Sequence, residues 1–209
     1  MKVLFQGDSI TDMYRTRVEE EMFGVGYPLL VKAELGFSEP GKYEFINRGV
    51  AGSRIVDLYS RIKPDILNDK PDVMSILIGV NDVWHEYTDN PNGVDADKYF
   101  KVYDLYIEEI KNAIPNIKIM IMEPFVLKAS ATENRWEDFS REVKKRAEMA
   151  RKVAEKYDLP FIPLQKGFDE LTEKMPASYW LEDGIHPTSA GHEYIKNEWV
   201  KAFKTYIMN

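Results

Sequence analysis

Short apolar runs alternate with longer amphipathic segments along the whole of the 209-residue chain. The runs, each typical of a buried strand, cover residues 3–5, 43–46, 73–78, 117–122 and 161–162. Segments with helical spacing of apolar residues lie between and after them, at residues 28–35, 55–62, 96–113, 135–157 and 189–206. Strands and helices in this order form a parallel sheet that right-handed crossovers cover on both faces. The sequence therefore predicts one domain over residues 1–209, an α/β fold built as a three-layer α/β/α sandwich with a five-stranded parallel sheet.

Single residues mark where several of these elements should begin or end. Pro28 can open the first long helix, and Gly36 is expected to end it. Ser53 is expected to be the N-cap of the helix that begins near residue 55. The polar, charged stretch over residues 15–21 and residues 24–27 after it are predicted to form a loop.

Ser9 stands where the first apolar run stops, directly after Gly7 and Asp8. Gly7 allows a sharp turn, so that Ser9 lies at the carboxyl edge of the sheet, where a helix can begin. Unpaired N–H groups at a helix start favour negative charge, which suits a serine that acts as a nucleophile. Serine is more commonly a simple N-cap at this position, so the motif alone leaves both interpretations open.

Asp183 and His186 lie three residues apart, across a glycine, near the other end of the chain. A catalytic serine needs a neutral imidazole to accept its proton, and the imidazole needs a carboxylate to fix its tautomer. A histidine alone in such a loop would be interpreted as a local hydrogen-bonding residue. Together with Ser9, the pair predicts a catalytic triad of Ser9, His186 and Asp183.

Gly52 and Asn81 follow the second and third apolar runs. Ligands bind beyond the carboxyl ends of the strands in open α/β sheets, so both residues should meet Ser9 at one edge. The backbone N–H groups of Ser9 and Gly52, and the side-chain amide of Asn81, could stabilise the oxyanion that forms when an ester is attacked. A turn glycine and a turn-capping asparagine are the alternative interpretations of these two residues.

The four blocks that carry these residues resemble those of the SGNH (GDSL-type) hydrolases. They read Gly7-Asp8-Ser9, Gly52, Gly79-Val80-Asn81-Asp82 and Asp183-Gly184-Ile185-His186, in that order, over essentially the whole chain. The resemblance implies a flavodoxin-like sandwich, with Ser9 as nucleophile, His186 as base and Asp183 as the residue that orients the base. It also implies an oxyanion hole formed by Ser9, Gly52 and Asn81.

Within that family, the chain is most similar to bacterial carbohydrate acetyl esterases of the acetylxylan esterase type, through residues 9–12, 81–84, 186–187 and 190–192. Glu182 is a departure, because a tryptophan can precede the triad aspartate in those members. The similarity implies that acetyl groups are removed from a small acetylated carbohydrate through an acyl-enzyme. Side chains beside the catalytic blocks are predicted to bind the sugar by stacking or hydrogen bonding: Asp12, Arg54, Trp84, Tyr179 and Trp180. The aromatic residues among them could instead be core or interface residues.

Two other functions stay open on the sequence alone. One is the hydrolysis of a short-chain lipid, a lysophospholipid or a thioester; the other is glycan binding by a protein whose catalytic site is silent. An intact set of Ser9, Asp183 and His186 favours an enzyme over the silent protein. No long apolar insertion offers a lid or an acyl tunnel, which favours a small acyl group.

Charge and composition narrow the partners. A net charge of -7 argues against nucleic acid or an anionic membrane surface. The chain has no cysteine, which excludes disulfides, thiol catalysis and cysteine-ligated metal, and no histidine spacing suggests zinc. Neither a cofactor nor a metal is expected, and a homo-oligomer is left open. With no secretion signal and no apolar run long enough to span a bilayer, the expected location is cytoplasmic.

Overall fold

A parallel five-stranded sheet runs through the middle of the protein in the computed structural model, which describes residues 1–16 and 22–208. Its strands are β1 (Lys2–Gly7), β2 (Glu44–Asn47), β3 (Val73–Leu77), β4 (Lys118–Met122) and β5 (Phe161–Ile162). They lie in the order β2-β1-β3-β4-β5, with Phe5 paired to Asn47 on one side and to Ser75 on the other. This is the flavodoxin-like order, so the predicted α/β fold with a five-stranded parallel sheet is confirmed.

Helices cover both faces of this sheet. They are α1 (Ser9–Asp12), α2 (Tyr27–Ser38), α3 (Ile55–Ser60), α4 (Val80–Trp84), α5 (Ala96–Ala113), α6 (Trp136–Lys156), α7 (Gln165–Thr172), α8 (Ala177–Trp180) and α9 (Ser189–Tyr206). Successive residues of a strand point to opposite faces. Val3 and Phe5 therefore share a buried cluster with apolar residues of α2 and α9, whereas Leu4 lies in a second cluster with residues of α3 and α5. The two clusters produce the three layers that the sequence predicts.

Two predicted helix boundaries are wrong, each for a local reason. Gly36 does not end α2, which continues to Ser38. The helix ends there because Pro40 disfavours helical backbone at the residue before it, Glu39. Ser53 is not the N-cap of α3; Arg54 occupies that position, and its N–H donates to the Asp57 carboxylate at 2.9 Å. The Ser53 hydroxyl instead accepts a hydrogen bond from Arg61.

Three short helices, α4, α7 and α8, have no counterpart in the sequence prediction. Of the loop expected over residues 15–21 and 24–27, residues 17–21 lie outside the described residues, and Tyr27 is already the first residue of α2. Across residues 1–16 and 22–208, no helix combines the length and the apolar character that crossing a membrane requires.

Candidate active site

The first turns of α1 and α4 and the segment after β2 come together at the carboxyl edge of the sheet. Ser9 is the first residue of α1, directly beyond β1. Asp8, and not Ser9, is the N-cap of this helix, since its carboxylate accepts a hydrogen bond from the Ile10 N–H at 3.0 Å. The capping role that a serine often has here is therefore taken by its neighbour, and the Ser9 hydroxyl has a different partner.

Ser9, His186 and Asp183 form a continuous chain of hydrogen-bonding atoms. Ser9 Oγ lies 3.0 Å from His186 Nε2, and His186 Nδ1 lies 2.8 Å from Asp183 Oδ2. With the ring proton on Nδ1, the imidazole donates to Asp183 and presents Nε2 as an acceptor to the Ser9 hydroxyl. An arrangement of this kind can take the serine proton while the serine oxygen attacks a carbonyl carbon.

A tight turn fixes the Asp183 carboxylate. Its Oδ1 accepts hydrogen bonds from the backbone N–H groups of Ile185 at 2.9 Å and His186 at 2.8 Å. Gly184 makes the turn possible, because its φ is 99° and a side chain there would lie 2.5 Å from the Leu127 carbonyl oxygen. Burial acts to raise the pKa of Asp183, but the hydrogen bonds from the His186 ring and the two N–H groups outweigh it and lower the pKa to about 2. Asp183 is therefore ionised at neutral pH.

The ionised Asp183 in turn acts on the imidazole. Its hydrogen bond is the main cause that raises the pKa of His186 above the ordinary value, against the opposing effect of burial. The negative charges of Asp183, Asp8 and Glu182 act in the same direction. The neutral imidazole that can accept a proton is therefore populated at a higher pH than in an ordinary histidine.

Gly52 and Asn81 lie at the same edge of the sheet, after β2 and β3. Gly52 has a φ of 79°, which favours glycine, although a Cβ added there would meet no atom within 4 Å. Asn81 is buried, and its Nδ2 donates to the Ser53 carbonyl oxygen at 3.1 Å. The amide carries a second N–H, and this group and the Gly52 N–H are the donors that the sequence assigns to an oxyanion hole.

A small cleft of about 300 Å³ opens over Ser9. Besides Ser9, Asp183 and His186, its lining residues are Asp12, Met13, Tyr14, Ala51 and Glu182. The sequence prediction did not name Met13, Tyr14, Ala51 or Glu182 as binding residues. Tyr14 is 83% exposed at the rim, and both it and Met13 have the left-handed backbone, with φ of 64° and 35°. Non-glycine residues seldom adopt this conformation, and those that do cluster at ligand-binding sites.

The structure divides the five predicted sugar-binding residues. Asp12 lines the cleft, and the Trp84 ring centroid lies 6.1 Å from that of His186. Trp84 itself is not one of the lining residues of the cleft, and neither are Arg54, Tyr179 and Trp180.

Other contacts account for the side chains of Arg54, Tyr179 and Trp180. The Arg54 guanidinium forms an ion pair with Asp57, at 2.8 Å from its Nε. Trp180 donates from Nε1 to the Met175 carbonyl oxygen at 3.3 Å and packs edge-on against Tyr179.

His192 lies apart from this hydrogen-bond chain. His192 is buried, and its Nδ1 accepts a hydrogen bond from the Tyr27 N–H at the start of α2. Burial lowers the pKa of His192 to about 4, so it is neutral at pH 7. Among residues 1–16 and 22–208, no three His, Asp or Glu side chains are grouped closely enough to hold a metal ion.

Comparison with known proteins gives consistent matches over nearly the full chain. The sequence profile of the GDSL-like lipase/acylhydrolase family matches residues 5–194. An acetylxylan esterase from Geobacillus stearothermophilus is 30% identical, over 96% of this chain and 96% of its own length.

Solved structures agree with the same family. The crystal structure of that esterase superposes with a TM-score of 0.83, at 30% identity, over 96% of this chain and 93% of the other. A GDSL-like lipase from Parabacteroides merdae gives a TM-score of 0.91 at 35% identity, over 97% of this chain and 95% of that one. An α/β hydrolase from the metagenome of Lake Arreo gives a TM-score of 0.87 at 26% identity, over 97% of this chain and 94% of that one.

Proposed function

This chain belongs to the GDSL-like lipase/acylhydrolase family and is a serine carboxylic-ester hydrolase, and on that premise we propose that it removes acetyl groups from carbohydrate. The observation that carries the proposal is the Ser9–His186–Asp183 hydrogen-bond chain at the base of a cleft of only about 300 Å³. The relative named as an acetylxylan esterase supports a sugar ester as the substrate.

The reaction follows from the order of the three side chains. Ser9 Oγ attacks the acetyl carbonyl carbon while His186 Nε2 accepts the hydroxyl proton, which forms a tetrahedral intermediate and an imidazolium beside ionised Asp183. The imidazolium then gives this proton to the sugar oxygen, the bond between that oxygen and the acyl carbon breaks, and acetyl-Ser9 remains. Water attacks the acetyl group in the same way, with His186 again as base, and releases acetate and free Ser9.

The oxyanion of each tetrahedral intermediate needs donors aimed at the place where the charge develops. Ser9 N–H, Gly52 N–H and the free N–H of Asn81 Nδ2 are the proposed donors. Ser9 N–H belongs to the first turn of α1, whose backbone donors point out of the helix. The hydrogen bond from Asn81 to Ser53 fixes the amide plane, so its second N–H is held in one direction before substrate binds.

Two features of the cleft favour an acetylated sugar over a lysophospholipid. Its charged lining residues besides His186 are the carboxylates Asp12, Glu182 and Asp183, which would repel a phosphate group. Tyr14 presents an exposed aromatic ring at the rim, and Trp84 lies next to His186. Aromatic faces of this kind pack well against the apolar face of a pyranose ring.

The substrate is tested by a panel of esters and by variants of the rim. Acetyl esters should be cleaved at least about tenfold faster than octanoyl esters, because the small cleft leaves little space for a long acyl chain. Tyr14→Ala and Trp84→Ala should each raise KM for acetylated xylo-oligosaccharides by about 3- to 10-fold, and should change KM for methyl acetate much less. Initial rates over a range of substrate concentrations give both quantities.

Phe37→Ala is the matched control, since Phe37 is equally aromatic and 90% exposed but lies in the last turn of α2, at the opposite edge of the sheet. It should leave both KM values unchanged. Octanoyl esters cleaved as fast as acetyl esters would contradict the proposal and favour the lipid hydrolase.

The proposed oxyanion hole gives a second test. Asn81→Ala should lower kcat by roughly 10²- to 10³-fold, as expected for the loss of one side-chain donor to an oxyanion. KM should change much less, because the donor acts mainly in the transition state. Steady-state kinetics with an aryl acetate separate the two parameters. A variant in which KM alone changes would show that Asn81 binds the ground-state substrate.

A further inference from the structure

Asp12 lines the cleft, but its carboxylate is already occupied by the protein backbone. Its Oδ2 accepts a hydrogen bond from the Ala51 N–H at 3.0 Å, and its Oδ1 accepts one from the Arg15 N–H at 3.2 Å. The residue is only 8% exposed. Each oxygen thus has a backbone partner, and the two contacts fix the position of the carboxylate relative to Ala51 and Arg15.

We propose that Asp12 is a positioning residue for the oxyanion hole: it holds Ala51 so that the N–H of Gly52 points towards Ser9. The proposal rests on the hydrolase mechanism given above, and it replaces the sugar-binding role that the sequence suggests for Asp12. On this proposal α1 serves catalysis at both ends: its first residue, Ser9, is the nucleophile, and its last residue, Asp12, supports the Gly52 N–H of the oxyanion hole.

The Gly52 N–H needs a support because its direction depends on the type of turn that contains it. Ser53 N–H donates to the Val50 carbonyl oxygen at 3.1 Å, which closes a four-residue turn with Ala51 and Gly52 at its centre. A φ of 79° at the third residue identifies a type II turn. In a type I turn the peptide between the two central residues, which carries the Gly52 N–H, is turned over. The direction of this N–H therefore depends on which of the two turn types forms.

Contacts on both sides of the central peptide restrict this choice. Ala51 N–H, on one side, is bound by Asp12; the Ser53 carbonyl, on the other, is bound by Asn81. Asp82 adds a further anchor, since its carboxylate oxygens lie 3.1 Å and 3.2 Å from the Ile55 nitrogen. Of these anchors, Asp12 alone comes from the helix that begins with Ser9.

The backbone before the turn is packed closely enough against α1 to make the contact short. A Cβ at Gly49 would lie 2.3 Å from the Asp12 nitrogen, so only glycine allows this approach. Val50 N–H also donates to the carbonyl oxygen of Gly7, two residues before Ser9. The distance from Ser9 to the Gly52 turn is thus set by short contacts with Gly7 and Asp12, on either side of the nucleophile.

A double-mutant cycle with an aryl acetate tests the proposal. Asp12→Ala should lower kcat by about 10- to 100-fold with KM changed less than about threefold, because a misplaced donor weakens transition-state binding. Gly52→Ala should also lower kcat, since alanine disfavours the type II turn although its Cβ has space. If both substitutions act through the Gly52 N–H, adding Asp12→Ala to the Gly52→Ala variant should lower kcat little further.

Asp72→Ala is the matched control. Its carboxylate also accepts a backbone hydrogen bond, from Lys2 at 2.7 Å, but at the amino edge of the sheet. It should leave kcat unchanged alone and in combination with Gly52→Ala. Asp12→Asn, which keeps the shape and one acceptor oxygen, should retain more kcat than Asp12→Ala and should show the same coupling with Gly52.

Two results would overturn the role of Asp12: kcat losses that multiply independently in the double variant, or an effect of Asp12→Ala on KM alone. The substrate proposal is judged separately. Wild-type protein that cleaves aryl acetate but no acetylated sugar would contradict the carbohydrate substrate, whereas the cycle would still decide the role of Asp12.

Discussion

Replacing Ser9 with alanine is expected to lower kcat for ester hydrolysis by roughly 10⁴- to 10⁶-fold, the loss typical of a serine hydrolase without its nucleophile. The hydroxyl makes its hydrogen bond to His186 at 3.0 Å, whereas Asp8 caps the helix. The substitution therefore removes the attacking atom and leaves the cap of α1 intact. The thermal unfolding midpoint of Ser9→Ala should lie close to that of the wild type.

Labelling with a fluorophosphonate supplies an independent measurement. The reagent should modify wild-type protein at Ser9 and should leave Ser9→Ala unmodified. Ser60→Ala serves as the control, because Ser60 is exposed and its hydroxyl donates to the carbonyl oxygen of Asp57 within α3. A folded Ser9→Ala variant with wild-type turnover would exclude Ser9 as nucleophile. A wild-type protein that neither turns over esters nor accepts the label would point to the silent glycan-binding alternative.

The sheet and the long helices could be predicted from sequence because their signals are local and repeated. α5 begins after Asp95 and α9 after Thr188, and in each case a polar side chain caps the first turn. Gly36 misled the prediction because glycine weakens a helix without ending it, whereas Pro40 restricts the residue before it more strongly. The short helices α4, α7 and α8 span at most eight residues, too few for an apolar period to be recognised.

The candidate site could be predicted where chemistry restricts the residue type, and not where only shape does. Ser9, Asp183 and His186 each belong to a recognisable sequence block, and the structure brings their side chains within hydrogen-bond distance. Tyr14 has no such signal, because its place at the rim depends on left-handed backbone at two successive residues. Its position two residues after a predicted site residue, Asp12, was the available indication.

The contact of the Asp12 carboxylate could not be predicted from the sequence either. Its partner Ala51 is 39 residues away and contributes only a backbone N–H, which any residue other than proline has. A pattern of side chains therefore identifies the nucleophile and its base, whereas the support of the oxyanion donors becomes visible only when the backbone is traced in space.

Asp183→Asn is expected to lower kcat by roughly 10⁴-fold while keeping the side-chain shape. An asparagine that donates to Nδ1 would stabilise the tautomer with the proton on Nε2, which cannot accept the proton of Ser9. The backbone N–H groups of Ile185 and His186 still have an amide oxygen to bind, so the turn should persist. Circular dichroism and thermal unfolding of the variant should therefore resemble those of the wild type.

The pH profile of this variant distinguishes loss of charge from loss of structure. The hydrogen bond that the His186 ring donates to Asp183 is the main cause that raises the pKa of His186, and catalysis needs neutral His186. In the wild type, kcat/KM should rise with pH through a value above the ordinary histidine pKa. In Asp183→Asn, whatever activity remains should reach its plateau at a lower pH, because the neutral imidazole is no longer disfavoured.

Glu182→Gln is the matched control for this shift. Glu182 also acts to raise the pKa of His186, but only through its charge and without a hydrogen bond to the ring. The substitution should therefore move the acid limb of kcat/KM slightly in the same direction and leave kcat at the plateau nearly unchanged. An acid limb that does not move in Asp183→Asn would mean that the group titrating in the profile is not His186. A kcat within tenfold of wild type would show that the tautomer of His186 does not depend on Asp183.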